Sequence, residues 1–383
     1  MKIPSRRIRW ISFLAAAWLA LPLSPDGLTG LYLWASPFLF LNALLSWQNL
    51  AWLHGLSLLV LLLVYFKPRW FCRYVCPVGA LCDAASGLAF KNIRRPNVPA
   101  IHKGLCLFAL TCALLGAPIL AITDPLNLFY AAFDGFHDQS ASASLLKLSG
   151  LLSVVFINVW IPHVWRQKIC PLGGLQDWMT DARHAVQRIT TQDRSGFSAG
   201  RRHALTGLAG ALAGLFIHNR LAPGAVLQLR PPGALEESQF RTVCTRCGNC
   251  VKACPTGIIH SSLHSNDWLG ALTPVVRFQQ SYCLPECTRC GEVCPSGAIS
   301  AFTRVQKKRC VIGVARIHLE NCLLVHLREC DRCKAFCDYD AIAIESSDDG
   351  LFTQPKVIQE QCVGCGACQI VCPAECIEIE AGR

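Results

Sequence analysis

Cysteine spacing constrains this chain more than any other feature. Past residue 240 the thiols fall into four groups: Cys244, Cys247, Cys250, Cys254; Cys283, Cys287, Cys290, Cys294; Cys322, Cys330, Cys333, Cys337; and Cys362, Cys365, Cys368, Cys372. The first and fourth groups follow C-x2-C-x2-C-x3-C-P, and the second has one extra residue in its first gap. Such spacing wraps three thiolates around one [4Fe–4S] cube while the fourth reaches a neighbouring cube. The groups therefore pair, and four clusters are expected. Cluster one takes Cys244, Cys247, Cys250 and Cys294, and cluster two takes Cys283, Cys287, Cys290 and Cys254. Cluster three takes Cys322, Cys330, Cys333 and Cys372, and cluster four takes Cys362, Cys365, Cys368 and Cys337. The third group departs from the pattern, with seven residues in its first gap and Asp338 in place of proline. A longer loop still delivers a thiolate.

Short apolar runs follow the groups: TGIIH, SGAISAF, DAIAI and ECIEI. They read as strands of a two-fold α+β ferredoxin-like domain over 241–383, with units at 241–305 and 306–383. Zinc also accepts four cysteines, but it does not need four tight groups ending in proline. Cysteines this close along the chain are poorly placed for disulfides with one another. Cys310 and Cys376 fit no motif. Arg246, Lys252, Arg289 and Arg332 lie in or beside the motifs and could raise cluster potentials or guide a partner; the favoured reading is that they are solvated surface charges.

The first half has a different character. The chain is 52% hydrophobic and only 16% charged, against roughly 25% charged in an average soluble domain. Apolar stretches at 10–23, 50–66, 105–122 and 148–165 approach the ~20 residues that a bilayer span needs. The stretch 28–45, interrupted by Gly30 and Pro37, reads as re-entrant. The fold class expected is a membrane α-helical bundle, four spans plus a fifth signal-anchor-like span, followed by the ferredoxin-like domain with tandem [4Fe–4S] modules. The net charge of +11 sits largely beside the apolar stretches. It therefore reads as positive-inside topology rather than nucleic-acid binding. That distribution puts residues before 10, 67–103 and 166–200 on the cytoplasmic side. The transmembrane domain covers 1–178, a polar linker 179–200, and a second linker 219–240. Residues 201–218, opening on Arg201-Arg202 and rich in Ala and Gly, read as a twin-arginine signal-like span or as an ordinary fifth span with a basic flank. Either places the ferredoxin domain in the periplasm of a bacterial inner-membrane, multi-pass protein.

The two halves of the membrane region repeat, each ending in a Cys-Pro turn: CRYVCPVGALCD and RQKICPLGGLQD. Cys72, Cys76 and Cys170 are candidates for one or two further clusters, with Cys82 as a candidate fourth ligand. The alternative is a set of reduced free thiols on a cytoplasmic loop. Cys106 and Cys112 read as small packing residues. No C-x-x-C-H, G-x-G-x-x-G or P-loop motif occurs, so neither c-type haem nor nucleotide chemistry is indicated.

With FCRYVCPVGAL at 71–81, ICPLGGL at 169–175, Arg201-Arg202, RPPGA at 230–234 and the four cysteine groups, the chain resembles NapH-type membrane ferredoxins fused to NapG-type periplasmic polyferredoxins. Parts of the pattern are shared with MauN and NosR. The resemblance implies a quinol dehydrogenase that takes electrons from the quinone pool and passes them through [4Fe–4S] clusters to a periplasmic, nitrate reductase-like enzyme or cytochrome. His54, Asp124, Asp134, His137 and Asp138 are candidate acceptors of the quinol protons. The alternatives are a membrane-anchored ferredoxin carrier without quinol chemistry, a redox sensor or metal-reducing assembly factor, and a structural zinc module.

Overall fold

The computed structural model describes residues 5–21, 30–46, 51–89, 98–134, 141–190, 201–221, 227–263, 269–346 and 352–382. Two units pack against each other. The first is helical. Its longer helices are Ser5–Ala20, Gly55–Phe66, Pro77–Gly87, His102–Leu114, Ala141–Trp160, Pro171–Thr190 and Arg201–Phe216. They close over a core of fully buried Phe38, Val64, Phe71, Leu126, Phe129, Tyr130 and Leu172.

The expected four-span bundle is not seen among the described residues. Among the described residues only Ala141–Trp160 is long and apolar enough to cross a membrane. Hydrophobic runs continue through points where the backbone turns, so run length overstates helix length. The 105–122 stretch is the helix His102–Leu114, a turn with Gly116 at φ +79°, and a short 3-10 helix Ile119–Thr123. The 50–66 stretch opens with a 3-10 turn, Trp52–His54, before the helix Gly55–Phe66. The helices Ser5–Ala20 and Arg201–Phe216 have 16 residues each. At 1.5 Å per residue Ser5–Ala20 is roughly 24 Å long, short of the ~30 Å hydrocarbon core, while Arg201–Phe216 runs on into a π-helical turn, Ile217–Leu221.

The Ala/Gly run at 201–216 has a packing role. Gly207 lies against Leu107, and a Cβ on Gly210 would stand 2.1 Å from Thr111 Oγ1 and 2.6 Å from Phe108 O. Small residues here let Arg201–Phe216 lie close along His102–Leu114.

The second unit holds three two-stranded antiparallel sheets: Ile259–Ser261 with Pro274–Val276, Val314–Ile317 with Ile377–Glu380, and Ile342–Ser346 with Thr353–Val357. Three of the four apolar runs after the cysteine groups contribute strands. The run at 296–302 instead makes one isolated bridge, Ala234 with Ile299. The segment around 229–236, expected as linker, is tied into this unit. Ser300 N–H donates to Gly233 O at 2.8 Å, and Val276 N–H to Leu229 O at 2.8 Å. Arg230 is buried and forks onto Glu237.

The units meet through buried polar contacts. Asn127 Nδ2 donates to Thr245 O at 2.7 Å, and His54 Nε2 lies 3.2 Å from Pro295 O. Lys147 bridges Asp134 and Ser261. Cys247 belongs to the same packed core as Cys76, Cys82 and Cys170.

Candidate iron–sulfur centres

Each cysteine group is shaped by local rules. In the first, Gly248 adopts φ +76°, which turns the chain after Cys247, and the one-turn helix Asn249–Ala253 then presents Cys250. A Cβ at 248 would fall 1.9 Å from Asp134 Cγ, so glycine is required twice over. The helix ends at Cys254, which is extended before Pro255 as a pre-proline residue prefers. The fourth group repeats the device with Gly366 at φ +85° and the helix Ala367–Val371.

Among the described residues the loops line four pockets, each partly open to solvent, so that their volumes include open space. One, of about 400 Å³, is lined by Cys244, Cys247, Cys250 and Cys294. A second, of about 370 Å³, is lined by Cys283, Cys287, Cys290 and Cys254. A third, of about 340 Å³, is lined by Cys322, Cys330, Cys333 and Cys372. A fourth, of about 330 Å³, is lined by Cys362, Cys365, Cys368 and Cys337. Every cavity thus takes three thiols from one group and one from its partner. The long first gap of the third group folds as turns through 323–328 and returns Cys330 to its cavity.

The donor chemistry fits iron–sulfur cubes. The thiols stand around a space rather than converging on a point. Among the described residues no three His, Cys, Asp or Glu side chains could hold a single metal ion, whereas tetrahedral zinc needs its thiolates at ~2.3 Å from one centre. Burial pushes Cys247 up to about 12 and Cys365 up to about 11. Thiols so placed ionise when a metal centre compensates their charge.

Several contacts were not foreseen from spacing. Buried Lys307, 24 residues after Cys283, donates from Nζ to Cys283 Sγ at 3.1 Å. Backbone N–H groups of Ile299 and Ala341 point at Cys294 Sγ and Cys337 Sγ, 3.4 and 3.3 Å away. Cys376, outside every motif, lines the third cavity with its Sγ 3.4 Å from Cys372 Sγ. Its one sequence signal was position, four residues past a ligand candidate. Of the four cations read as solvated, Arg332 is exposed, and Arg246 and Arg289 are half-buried. Arg246 donates to Leu269 O, Ala271 O and Cys244 O. The Lys252 ammonium is buried 5.3 Å from the Tyr130 ring centroid.

In the helical unit Cys72, Cys76, Cys82 and Cys170 are all buried. Cys76 and Cys170 belong to one packed core, so the two Cys-Pro turns converge. Gln176 Nε2 donates to Cys72 Sγ at 2.8 Å. Beside them Asp177 takes a two-pronged hydrogen bond from Arg69, at 2.7 and 2.5 Å, and one from His102 at 2.8 Å. Burial pushes the Asp177 carboxyl up, but these partners outweigh it and hold it below the usual range. Cys106 and Cys112 are buried in packing positions, and Cys112 Sγ contacts Gly210 O.

The proton-acceptor candidates have structural partners. His54 accepts from Ala51 N–H at Nδ1 and faces Pro295 O at Nε2. Asp124 caps the helix Pro125–Asp134 through Leu126 N–H and Asn127 N–H and accepts from Ser36. Asp134 pairs with Lys147. His137 and Asp138 lie outside the described residues.

The 4Fe-4S dicluster domain family matches residues 243–298, and 4Fe-4S binding domain families match 355–378 and, in two pieces, 48–96 and 148–189. The ferredoxin-type protein NapG of Escherichia coli K12 is 33% identical over 178 residues, covering 44% of this chain and 76% of that protein. The ferredoxin-type protein NapF of the same organism is 33% identical over 153 residues, covering 40% and 84%. The chain belongs to the Nap-type polyferredoxin family. The methylamine utilization ferredoxin-type protein MauM of Methylophilus methylotrophus is 36% identical over 151 residues, covering 38% and 66%. No solved structure matches. As a polyferredoxin, the chain is an electron-transfer protein that binds iron–sulfur clusters.

Proposed function

We propose that this polyferredoxin conducts electrons from the quinol pool of a bacterial inner membrane, through four [4Fe–4S] clusters in the ferredoxin unit, to a periplasmic reductase or cytochrome. The observation that carries the reading is the order of the cavities. The first lies against the helical unit, where Cys247 joins its core. It shares the Cys250–Cys254 and Cys290–Cys294 segments with the second. The second meets the fourth where Cys283 N–H donates to Cys365 O at 2.9 Å. The fourth shares the Cys333–Cys337 and Cys368–Cys372 segments with the third, which lies at the far end. A row that begins at one unit and ends away from it suits through-transfer.

Bound clusters supply one-electron uptake and release. The chain's own residues supply the rest. The sixteen cysteines of the ferredoxin unit hold the clusters, and Cys72, Cys76 and Cys170 hold one more in the helical unit. Lys307 and the amides of Ile299 and Ala341 place hydrogen bonds on ligand sulfurs, which raises potentials. The helical unit exposes Ile11, Leu14, Leu62, Leu152, Phe156 and Leu208, each more than half accessible. An apolar surface of that kind suits contact with lipid.

The engagement of His54, Asp124 and Asp134 by structural partners favours a second reading, an electron carrier reduced by another protein. Anaerobic addition of a soluble quinol to the oxidised full chain separates the two. Cluster bleaching by the quinol supports direct oxidation. Bleaching by dithionite alone leaves the carrier.

A further inference from the structure

The two Cys-Pro turns of the helical unit are structural repeats, each position in the second lying 94 residues after its counterpart in the first. Arg69 and His163 are both non-glycine residues at positive φ, +52° and +61°. Cys76 and Cys170 share one backbone conformation, φ −65° ψ 116° and φ −56° ψ 118°, each before a proline that opens a helix. A Cβ on Gly79 would meet Cys72 O at 3.2 Å, and one on Gly173 would meet Arg166 O at 3.2 Å. The cross-repeat ion pairs are reciprocal: Arg69 with Asp177 at 2.5 Å and His163 with Asp83 at 3.6 Å.

This pseudo-two-fold makes Cys72 equivalent to Arg166, and Gln176 equivalent to Cys82. The Gln176 side chain reaches across to Cys72 Sγ at 2.8 Å. By the same symmetry the side chain at 82 addresses position 166. A thiol is absent at 166 and present at 82. Cys82 is fully buried in the same packed core as Cys76 and Cys170. Arg166 cannot ligate iron; its guanidinium lies 3.4 Å from Asp83, next along the chain from Cys82. Gln176 is also fully buried, and its Oε1 has no hydrogen-bond partner among the described residues.

We propose that Cys82 supplies the fourth thiolate of a cluster shared with Cys72, Cys76 and Cys170, replacing the ligand that Arg166 removes from the second repeat. The proposal rests on the reading that the helical unit holds one shared cluster. Each iron–sulfur bond forms as the thiol proton leaves for solvent.

The test uses the full chain purified anaerobically, with iron counted and EPR recorded on the parent, Cys82→Ala, Cys76→Ala, Cys82→Ala/Arg166→Cys and Cys112→Ala. Cys82→Ala is expected to lose about four irons per chain, or about one iron with a new [3Fe–4S] signal. Returning the thiol to 166 is expected to restore both, and Cys112→Ala to change neither. Full iron in Cys82→Ala with loss in Cys76→Ala overturns the assignment of Cys82 alone. Full iron in both removes the shared cluster itself. Loss in Cys82→Ala without recovery in the double variant also overturns the proposal, because a folding defect then accounts for it.

Discussion

Replacing Asp134 by Ala should unfold the junction between the two units. The Asp134 side chain is 0% exposed and that of Lys147 1% exposed. Lys147 also bonds Ser261 on the ferredoxin unit, and the buried Lys252 ammonium lies in the same field. Removing the carboxylate takes a charged partner from the buried Lys147 ammonium. Breaking a buried pair from one side costs about 3–5 kcal/mol, whereas replacing both partners by apolar residues of similar volume is often neutral or stabilising. A double-mutant cycle isolates the coupling. Urea unfolding followed by tryptophan fluorescence would be measured for Asp134→Ala, Lys147→Met and Asp134→Leu/Lys147→Met. The single Asp134 change should lose at least about 3 kcal/mol and the double variant should regain most of it. A loss below about 1 kcal/mol in Asp134→Ala would place the pair in solvent and refute the reasoning.

Two further outcomes follow from the geometry. Cys294→Ser should abolish the EPR signal that Cys247→Ser abolishes, and not the one lost in Cys287→Ser, because Cys294 lines the first cavity with Cys247; the reverse pattern would break the crossed assignment. Asp124 should make stability depend on pH. Burial pushes its carboxyl up to about 6, with the Ser36, Asn127 and Leu126 hydrogen bonds pulling the other way. Between about 4 and about 6 the folded chain holds a proton that the unfolded chain has lost, so stability falls as pH rises through that window, by about 3 kcal/mol in all. Asp124→Asn keeps an acceptor for the helix cap and should raise the melting temperature at pH 8 while leaving it nearly unchanged at pH 4. An equal shift at both pH values would contradict this.

The ferredoxin unit was legible where the rule is local. In the first, second and fourth groups three thiols fall within seven or eight residues, a spacing that wraps one space and sends the fourth thiol towards a neighbouring one. Lys307 and Cys376 were not legible, since only the folded chain brings them to Cys283 and Cys372. The strand expected at 296–302 was an apolar run without a partner strand. In the helical unit, apolarity gave the presence of helices but not their ends. Gly116 and the 3-10 turn at Trp52–His54 cut the runs that composition alone would join. The repeat of the Cys-Pro turns was visible in sequence. The facing of 82 on 166 needed the Gln176–Cys72 contact.

The most direct test of the account is a redox titration of the anaerobically purified full chain, followed by EPR with iron counted on the same sample. About sixteen irons in the ferredoxin unit and about twenty in all, with spin–spin interaction between neighbouring reduced centres, is the predicted result. Fewer than about twelve irons, or a single magnetically isolated centre, would contradict it.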